Sequence, residues 1–159
     1  MDDVAARAGL GVGTLYRHFA TKEALMEALL ERKFEQILEV AQRGIDRQDG
    51  EPFEILADVL REGAEVTAAD AAAQDALMRV REVVWSDVLP TQSKLLAATQ
   101  VLIDRAQAAG TMRSDVNADD ISMIMCGLSA TMSAGVWDWH RHLELALDGL
   151  RVTAQRAHR

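Results

Sequence analysis

Apolar residues return every three or four positions along most of the chain, which is the spacing of one face of a helix. The longest run of this kind extends from Leu25 to Ala41. Similar patterns predict further helices, at about 2–8, around 15–19, at about 52–66 and 68–85, between 90 and 110, and at about 117–136 and 140–157. The sequence therefore predicts an all-α protein.

Glycine and proline divide these predicted helices. Gly9 is placed to end the first short helix, and Gly44 ends the apolar pattern of the long one. Pro52 is placed to begin the next helix after a short break. We predict two domains, an N-terminal module with its connecting helix at 1–44 and a helical domain at 45–159.

An uncharged segment lies between Asp120 and Asp138, and Asn117 is placed to cap its beginning. The segment is at the short limit of about 17 residues for a membrane span. Serine, threonine and glycine residues also dilute its hydrophobicity. We therefore expect a buried helix of a bundle and no membrane partner.

The last two predicted helices carry more apolar surface than one bundle needs. The first has an apolar stripe beside a face of small residues, which are Gly127, Ala130 and Ala134. The second has apolar residues on two sides, with Leu143 and Leu147 on one and Leu145 and Val152 on another. This surplus predicts a homodimer formed through the last two helices.

The composition also favours helix. Aromatic residues make up 4% of the chain and there are 2 prolines. Cys126 is a single cysteine, so an internal disulfide is excluded and a reducing compartment is favoured. The chain opens with no charged and apolar leader, and we expect a cytoplasmic protein.

The net charge of −8 argues against a nucleic-acid partner until its distribution along the chain is considered. Acidic and basic residues balance over 1–33, so the whole excess lies in 34–159. Residues 7–22 contain three cations and no carboxylate. Salt screens the acidic body within about 8 to 10 Å, so a locally basic end can still approach phosphate.

A short amphipathic helix is predicted inside this basic stretch. Leu15 and Phe19 are four residues apart and share one face. The other sides carry polar residues, namely Thr14, Tyr16, Arg17 and His18. Thr21 is placed to cap the long helix that follows. A helix-turn-helix needs such a second helix, which is short, anchored by apolar residues and polar on its outer side.

This N-terminal motif resembles that of a known family. It reads DDVAARAGLGVGTLYRHF at positions 2–19 and TKEAL at positions 21–25. The run resembles the helix-turn-helix signature of the TetR family of transcriptional regulators over some two dozen positions. Beyond about residue 30 the resemblance is architectural only. It implies an all-α fold in which a helix-turn-helix is joined to a C-terminal helical bundle.

The resemblance and the side-chain chemistry together imply a set of DNA contacts, which are Gly13, Thr14, Tyr16, Arg17, His18 and Lys22. Gly13 lets the backbone approach the duplex, and Thr14 and Arg17 reach base edges or phosphate. Tyr16, His18 and Lys22 look like the family's phosphate clamp, which fixes register without reading sequence. The alternative for Tyr16 and His18 is that they are ordinary surface residues.

Two features depart from the family's pattern. Gly11 and Val12 stand where relatives commonly have a serine cap and a basic residue. In addition, Met1 falls where the family's second helix is about to begin, so the first helix is missing. We expect an in-frame upstream extension to supply it. Without that helix, the apolar groups beneath it should be partly exposed, namely Val4, Leu15, Phe19 and Leu25.

Candidate ligand-binding residues lie in the C-terminal domain, and they are Met78, Arg81, Trp85 and Met125. Methionine fills irregular space, so these residues are consistent with a largely apolar effector of unknown identity. Core packing and a solvated arginine are the alternatives. Cys126 is interpreted as a core residue. His140 and Glu144 could share a helix face, but two ligands do not make a metal site, and we predict no metal and no cofactor.

The resemblance implies a ligand-responsive repressor, which binds a palindromic operator in double-stranded DNA as a homodimer and is released by a small molecule. The alternative is a helical small-molecule-binding or dimerisation protein that has lost operator binding with its first helix. An enzyme is not indicated, because the sequence offers no glycine-rich phosphate loop and no nucleophile with a base.

Overall fold

The fold is built from helices, as the apolar spacing predicts. The structure, a computed structural model, describes residues 1–69 and 90–152. Within these ranges it contains seven helices and no strand. They are α1 (Asp2–Ala8), α2 (Val12–His18), α3 (Lys22–Asp46), α4 (Pro52–Ala69), α5 (Pro90–Ala108), α6 (Ala118–Ala134) and α7 (Trp139–Leu150).

The two shortest helices, α1 and α2, form an N-terminal module. Gly9 ends α1 in the left-handed conformation (φ 65°), and its N–H donates to carbonyls at the end of α1. The N–H of Leu10 then donates to Ala5 O at 2.9 Å. Ala5 and Leu15 are buried between the helices. Among the described helices, the main packing partner of α1 is α2.

The long helix α3 connects this module to the body. Thr21 caps it as predicted, because its side-chain oxygen accepts from the N–H of Ala24 at 3.1 Å. The second half of α3 packs against α4 and α5. Val40 and Ala41 are buried there in the core of the body.

The prediction that Gly44 ends this helix is wrong, since α3 continues to Asp46. Gly44 is buried inside the helix at its crossing with α4. A Cβ at this position would overlap Cγ2 of Val59 and would lie 3.6 Å from Cδ1 of Leu102. The glycine is therefore needed for a close approach of two helices, which its usual role as a stop signal does not reveal.

The body has one main hydrophobic core, formed by α3 to α7. Its largest fully buried side chains come from α4 to α7 and the segment after α5, and they are Phe53, Leu56, Leu102, Ile103, Met112, Leu128 and Leu147. Helix α3 contributes Val40 and Ala41. The apolar positions of the sequence pattern therefore meet in one place. That core fixes the second half of α3, and with it the direction in which the N-terminal module is held.

Helix α6 begins and ends at the signals in the sequence. Asn117 and Asp120 form a reciprocal capping box, and Gly135 ends the helix in the left-handed conformation (φ 65°). The helix thus stops at Ala134, close to the predicted end at about 136. No helix in the described ranges is long and apolar enough to cross a membrane.

The last helix is shorter than predicted. We expected it to continue to about residue 157, but α7 ends at Leu150. The chain then runs beside the segment after α5: the N–H of Arg113 donates to Leu150 O at 3.0 Å, and the N–H of Val152 donates to Thr111 O at 3.1 Å. Arg151 lies over the ring of Phe53, 4.5 Å from its centroid. These tertiary interactions replace the next helical turn, so Val152 does not belong to the apolar face of α7.

Helix α4 is also joined to α7 by a two-point ion pair. Nε of Arg61 donates to Oε1 of Glu144 at 2.7 Å, and Nη2 donates to Oε2 at 3.0 Å. The guanidinium holds the pKa of Glu144 below its ordinary value through this hydrogen bond and through its charge. By their spacing His140 and Glu144 share a face of α7, and the structure pairs this carboxylate with Arg61.

We predict that Gly44→Ala destabilises the protein by about 1 to 3 kcal/mol, since the added methyl group must displace Val59. Gly149→Ala is the matched control, because a Cβ at that exposed helical position meets no heavy atom within 4 Å. The control should gain up to about 1 kcal/mol from helix propensity. Urea unfolding followed by circular dichroism measures both variants. Equal stability of the two variants would contradict the proposed helix crossing.

The Arg61–Glu144 pair predicts a pH dependence. Because the folded pKa of Glu144 lies below its ordinary value, the pair stabilises the protein above that value and loses its effect as pH falls through the folded pKa. The pair is partly exposed, so we expect at most about 1 kcal/mol at pH 7. The stability difference between wild type and Glu144→Gln should shrink between pH 7 and pH 3, as measured by thermal unfolding. Glu39→Gln, at an exposed position of α3, is the control, and a difference that grows towards acid pH would refute the assignment.

Candidate DNA-binding module and ligand cavity

Helix α2 is short and held from one side. It contains 7 residues, and Leu15 is its buried anchor, with 5% of its surface exposed. Phe19, directly after the helix, is half-buried and donates its N–H to Leu15 O at 2.8 Å. Gly11 is the N-cap residue and supplies no side-chain hydrogen bond, which is the missing cap that the sequence indicates.

The candidate DNA-contacting residues lie close together in the chain. Five of the six are on α2, and Lys22 is the first residue of α3. Tyr16, Arg17, His18 and Lys22 are exposed, whereas Thr14 is half-buried. Gly13 is exposed, and a Cβ there would meet no heavy atom within 4 Å. The packing of this chain therefore does not require a glycine at position 13.

The cations of this module differ from those of the body in their partners. In the body, several arginines form ion pairs with carboxylates, among them Arg43 with Glu62, Arg47 with Asp58, Arg61 with Glu144 and Arg113 with Asp115. Over the described residues, Arg17 and Lys22 form no ion pair. The positive charge around α2 is therefore available to an external anion, while much of the positive charge of the body is neutralised internally.

The exposure of apolar groups in the module agrees only partly with expectation. Val4 is 42% exposed, as expected, but the expectation for Leu15 is wrong, because α1 and α2 bury it between them. Leu10 and Val12 are 48% and 41% exposed, and the sequence analysis did not single them out. The module therefore has a small apolar core of its own and an apolar outer surface around the turn.

A cavity of about 660 Å³ lies in the body, between α3, α4, α5 and α6. Its volume is in the range of sites for small organic ligands. Most of its wall is apolar, with Phe34, Ile37, Val59, Leu60, Leu95, Leu96, Ile121, Met123 and Met125. Of the candidate ligand residues, Met125 lines this cavity, whereas Met78, Arg81 and Trp85 lie outside the described residues.

Several polar groups also line the cavity, and the sequence analysis missed them. Lys33 is only 3% exposed, and Thr67 and Thr99 are buried. Lys33 lies three residues after Leu30 and four before Ile37, so it falls on the apolar face of α3. In the sequence, the signal for a polar group in the interior is this lysine at a position where the helical pattern expects an apolar residue. Cys126, interpreted from sequence as a core residue, is half-buried in the cavity wall.

His140 lies on the surface beside two carboxylates and an aromatic ring. Its Nε2 lies 3.2 Å from Oε1 of Glu65, and its Nδ1 lies 3.5 Å from Oδ1 of Asp138. The ring stacks on Trp139 at a centroid distance of 3.6 Å. In the part of the chain that the structure describes, no group of three or more metal-ligating side chains comes together.

Comparison with known protein families identifies both parts of the chain. Residues 1–29 match the family described as bacterial regulatory proteins, tetR family. Residues 51–152 match the family described as transcriptional regulator SbtR-like, C-terminal domain. Together the two matches cover the helix-turn-helix and nearly all of the described body.

Individual proteins give the same result. The chain is similar to the crystal structure of the TetR transcriptional regulator SCO0520 from Streptomyces coelicolor, with 33% identity and a TM-score of 0.60 over 96% of this chain and 87% of that one. It is similar to a TetR transcription regulatory protein from Mycobacterium vanbaalenii, with 32% identity and a TM-score of 0.58 over 95% and 82%.

A third similarity is confined to a short segment. Over 37 residues, 23% of this chain, the sequence is 49% identical to the HTH-type transcriptional regulator SAR0097 of Staphylococcus aureus, and the match spans 19% of that regulator's length. The family models and the solved structures extend the similarity over the remaining helices. On these grounds the chain belongs to the TetR family and is a transcriptional regulator.

Proposed function

We propose that this regulator is a repressor that binds a palindromic operator as a homodimer and is released by a small molecule. The observation that carries the proposal is the outer side of α2. It presents Tyr16, Arg17 and His18 on a short helix anchored by Leu15, and no carboxylate of the described residues neutralises Arg17 or Lys22. These are the properties that a helix needs in order to enter the major groove.

The residues of this surface have different roles in the proposal. Arg17 reaches guanine or a phosphate, and the methyl or hydroxyl group of Thr14 contacts a base edge. Tyr16, His18 and Lys22 hold phosphates on either side and so fix the register of α2 along the duplex. Gly13 adds no side chain at the point where the backbone approaches the DNA. Counterion release then makes the affinity fall with salt.

A homodimer would supply the two reading helices that a palindrome requires. The proposed interface is formed by α6, α7 and the turn between them. Three large apolar residues outside the cavity wall are more than half exposed there, namely Val136 and Trp137 in the turn and Leu145 on α7. Soluble monomers rarely leave such a cluster in water, and a second copy can bury it. The twofold axis of the protein would then match that of the operator.

The position of the cavity supports release by a ligand. Helix α3 forms part of the cavity wall through Lys33, Phe34 and Ile37, and it begins at the DNA-contacting Lys22. A ligand that favours another position of α3 would alter the spacing of the two reading helices. Ligand and operator affinity are then coupled reciprocally, typically by about 1 to 3 kcal/mol.

The rival function is a small-molecule-binding or dimerisation protein that does not bind an operator. Exposed Val4, Leu10 and Val12 are the observation in its favour, because they leave the module with an apolar surface that DNA does not cover. The experiment that follows separates the two functions.

We predict that the protein shifts duplex DNA from the region upstream of its own gene in a salt-dependent manner. Arg17→Ala should lower the affinity by about 1 to 3 kcal/mol if Arg17 reads a guanine. Lys22→Ala should weaken binding to all sequences and reduce the salt slope by about 1. Lys94→Ala is the matched control for Lys22→Ala, because Lys94 is an exposed lysine of α5. Gel-shift titrations at several salt concentrations measure these effects.

Equal binding by Lys22→Ala and Lys94→Ala would contradict the proposed clamp. If the folded protein shifts none of the upstream fragments in a salt-sensitive manner, the repressor function is contradicted and the rival function is favoured.

A second prediction concerns the dimer. Leu145→Glu should convert the dimer to monomers, because an unpaired carboxylate in an apolar interface costs several kcal/mol. Val101→Glu is the matched control, since Val101 is an exposed apolar residue of α5, away from α6 and α7 in sequence. Sedimentation velocity at micromolar concentration gives the oligomeric state. Dissociation by both variants, or by neither, would argue against an interface on α6 and α7.

A further inference from the structure

The cavity wall contains a buried lysine. Lys33 lines it with 3% of its surface exposed, and an ammonium group removed from water is costly unless it has polar partners. Lys33 does interact within the protein. An ammonium offers three donors, so a protein partner and an oxygen of a ligand can share it.

A second polar group at the cavity is Gln92. Its Oε1 is buried and makes no hydrogen bond within 1–69 and 90–152. The oxygen and nitrogen of such an amide exchange places by rotation, so Gln92 can offer an acceptor or a donor to a ligand. A carboxylate only accepts hydrogen bonds, so it can bind Gln92 through the amide NH2 once the amide is rotated, whereas a purely apolar ligand makes no hydrogen bond to either atom.

Several hydroxyl groups of the cavity wall already donate to the protein backbone and so are not available to donate to a ligand. Oγ1 of Thr67 donates to Gly63 O at 2.9 Å, and Oγ of Ser129 donates to Met125 O at 3.1 Å. Both protons are thus engaged by the backbone of their own helices. Oγ of Ser122 likewise donates to Ala118 O at 3.1 Å. Lys33, Gln92 and the hydroxyl group of Thr99 remain as lining groups that can donate to an anion.

The open side of the cavity has the opposite charge. Asp119 lines it and is exposed at the beginning of α6, as are Met123, Gly127 and Ala130 further along that helix. A carboxylate at the opening repels an anionic head there, whereas the buried ammonium attracts it more strongly at the low dielectric of the interior. The charges therefore orient a ligand with its acid group inward.

We propose that the cavity binds an elongated apolar carboxylic acid, with its carboxylate at Lys33 and Gln92 and its hydrocarbon part against Phe34, Leu95 and Met125. The cavity has a volume of about 660 Å³, which is roughly the volume of 20 water molecules in the liquid. A hydrocarbon chain with one carboxylate fits into that space. The further proposal that this acid releases the protein from DNA rests on the proposed repressor function.

The ligand site and the N-terminal module are joined by α3. Lys33 lies eleven residues after Lys22 on this helix, a distance of about 16 Å along its axis.

The test compares three probes with the same twelve-carbon chain: dodecanoate, dodecanol and dodecyltrimethylammonium, each below its micelle concentration. Calorimetric titration of the full chain, without DNA, should give the highest affinity for dodecanoate and the lowest for the cation. Cys126 is a single cysteine in the cavity wall, so its alkylation by N-ethylmaleimide reports whether a probe occupies this cavity. Dodecanoate should protect Cys126.

Lys33→Met, which keeps the length and removes the charge, should weaken dodecanoate binding roughly 10- to 100-fold and leave dodecanol binding nearly unchanged. Lys94→Met is the matched control and should bind dodecanoate like the wild type. Lys33→Gln is the second variant if Lys33→Met does not fold. It should also weaken dodecanoate binding and leave dodecanol binding nearly unchanged.

Two outcomes would overturn the proposal: equal affinity of the wild type for the acid and the alcohol, or dodecanoate binding that leaves Cys126 unprotected. Both are measured without DNA, so they leave the repressor function untouched. Conversely, dodecanoate that binds and protects Cys126 but does not release DNA in a gel shift would support the ligand class and contradict release by this ligand.

Discussion

The packing of α3 against α4 and α5 is the constraint on which the rest of the structure depends. Helix α3 has 25 residues, and its second half is fixed where buried Gly44 lets Val59 of α4 come close. Its first residues, Lys22 and Glu23, are exposed, and burial begins further along at Leu30. A rigid helix held at one end transmits its position to the other end. The body therefore sets the orientation of α2, although α2 itself packs mainly on α1.

The same helix explains why a cavity in the body concerns the N-terminal module. Lys33 and Phe34 lie between the buried half of α3 and the module. The cations of the body and those of the N-terminal module differ in their ion pairs. Arginines of the body are largely occupied by neighbouring carboxylates, as in the pairs of Arg43 with Glu62 and Arg61 with Glu144. Over the described residues Arg17 and Lys22 form no ion pair, and Lys33 lines the cavity while it also interacts within the protein. An acidic protein can thus present two separate sites for anions.

Much of the fold could be predicted from the sequence because it depends on local signals. Thr21, Asn117 and Gly9 cap or end helices through interactions with residues two to four positions away, and these interactions formed as predicted. Gly44 and the end of α7 were predicted wrongly because they depend on distant contacts. Gly44 is fixed by Val59, and the chain after Leu150 is held by the segment around Arg113.

The candidate sites differ in the same way. The residues of α2 could be found from sequence, because a helix-turn-helix is one continuous segment. The cavity could be found only in part, since it combines four helices, and Met125 was its one described residue among the candidates. A lysine on the apolar face of α3 indicated a polar cavity wall. The pattern of one helix, however, cannot distinguish a cavity from a partner helix.

The most direct test of the account is a selection of binding sites from random duplex DNA, with the enriched sequences read at successive rounds. The account predicts an inverted repeat whose half-sites lie about one helical turn apart, because two copies of α2 enter successive major grooves. A protein with Arg17→Ala should lose the preference at one base pair of each half-site. Enrichment of a single asymmetric site, or of no sequence at all, would contradict the central claim.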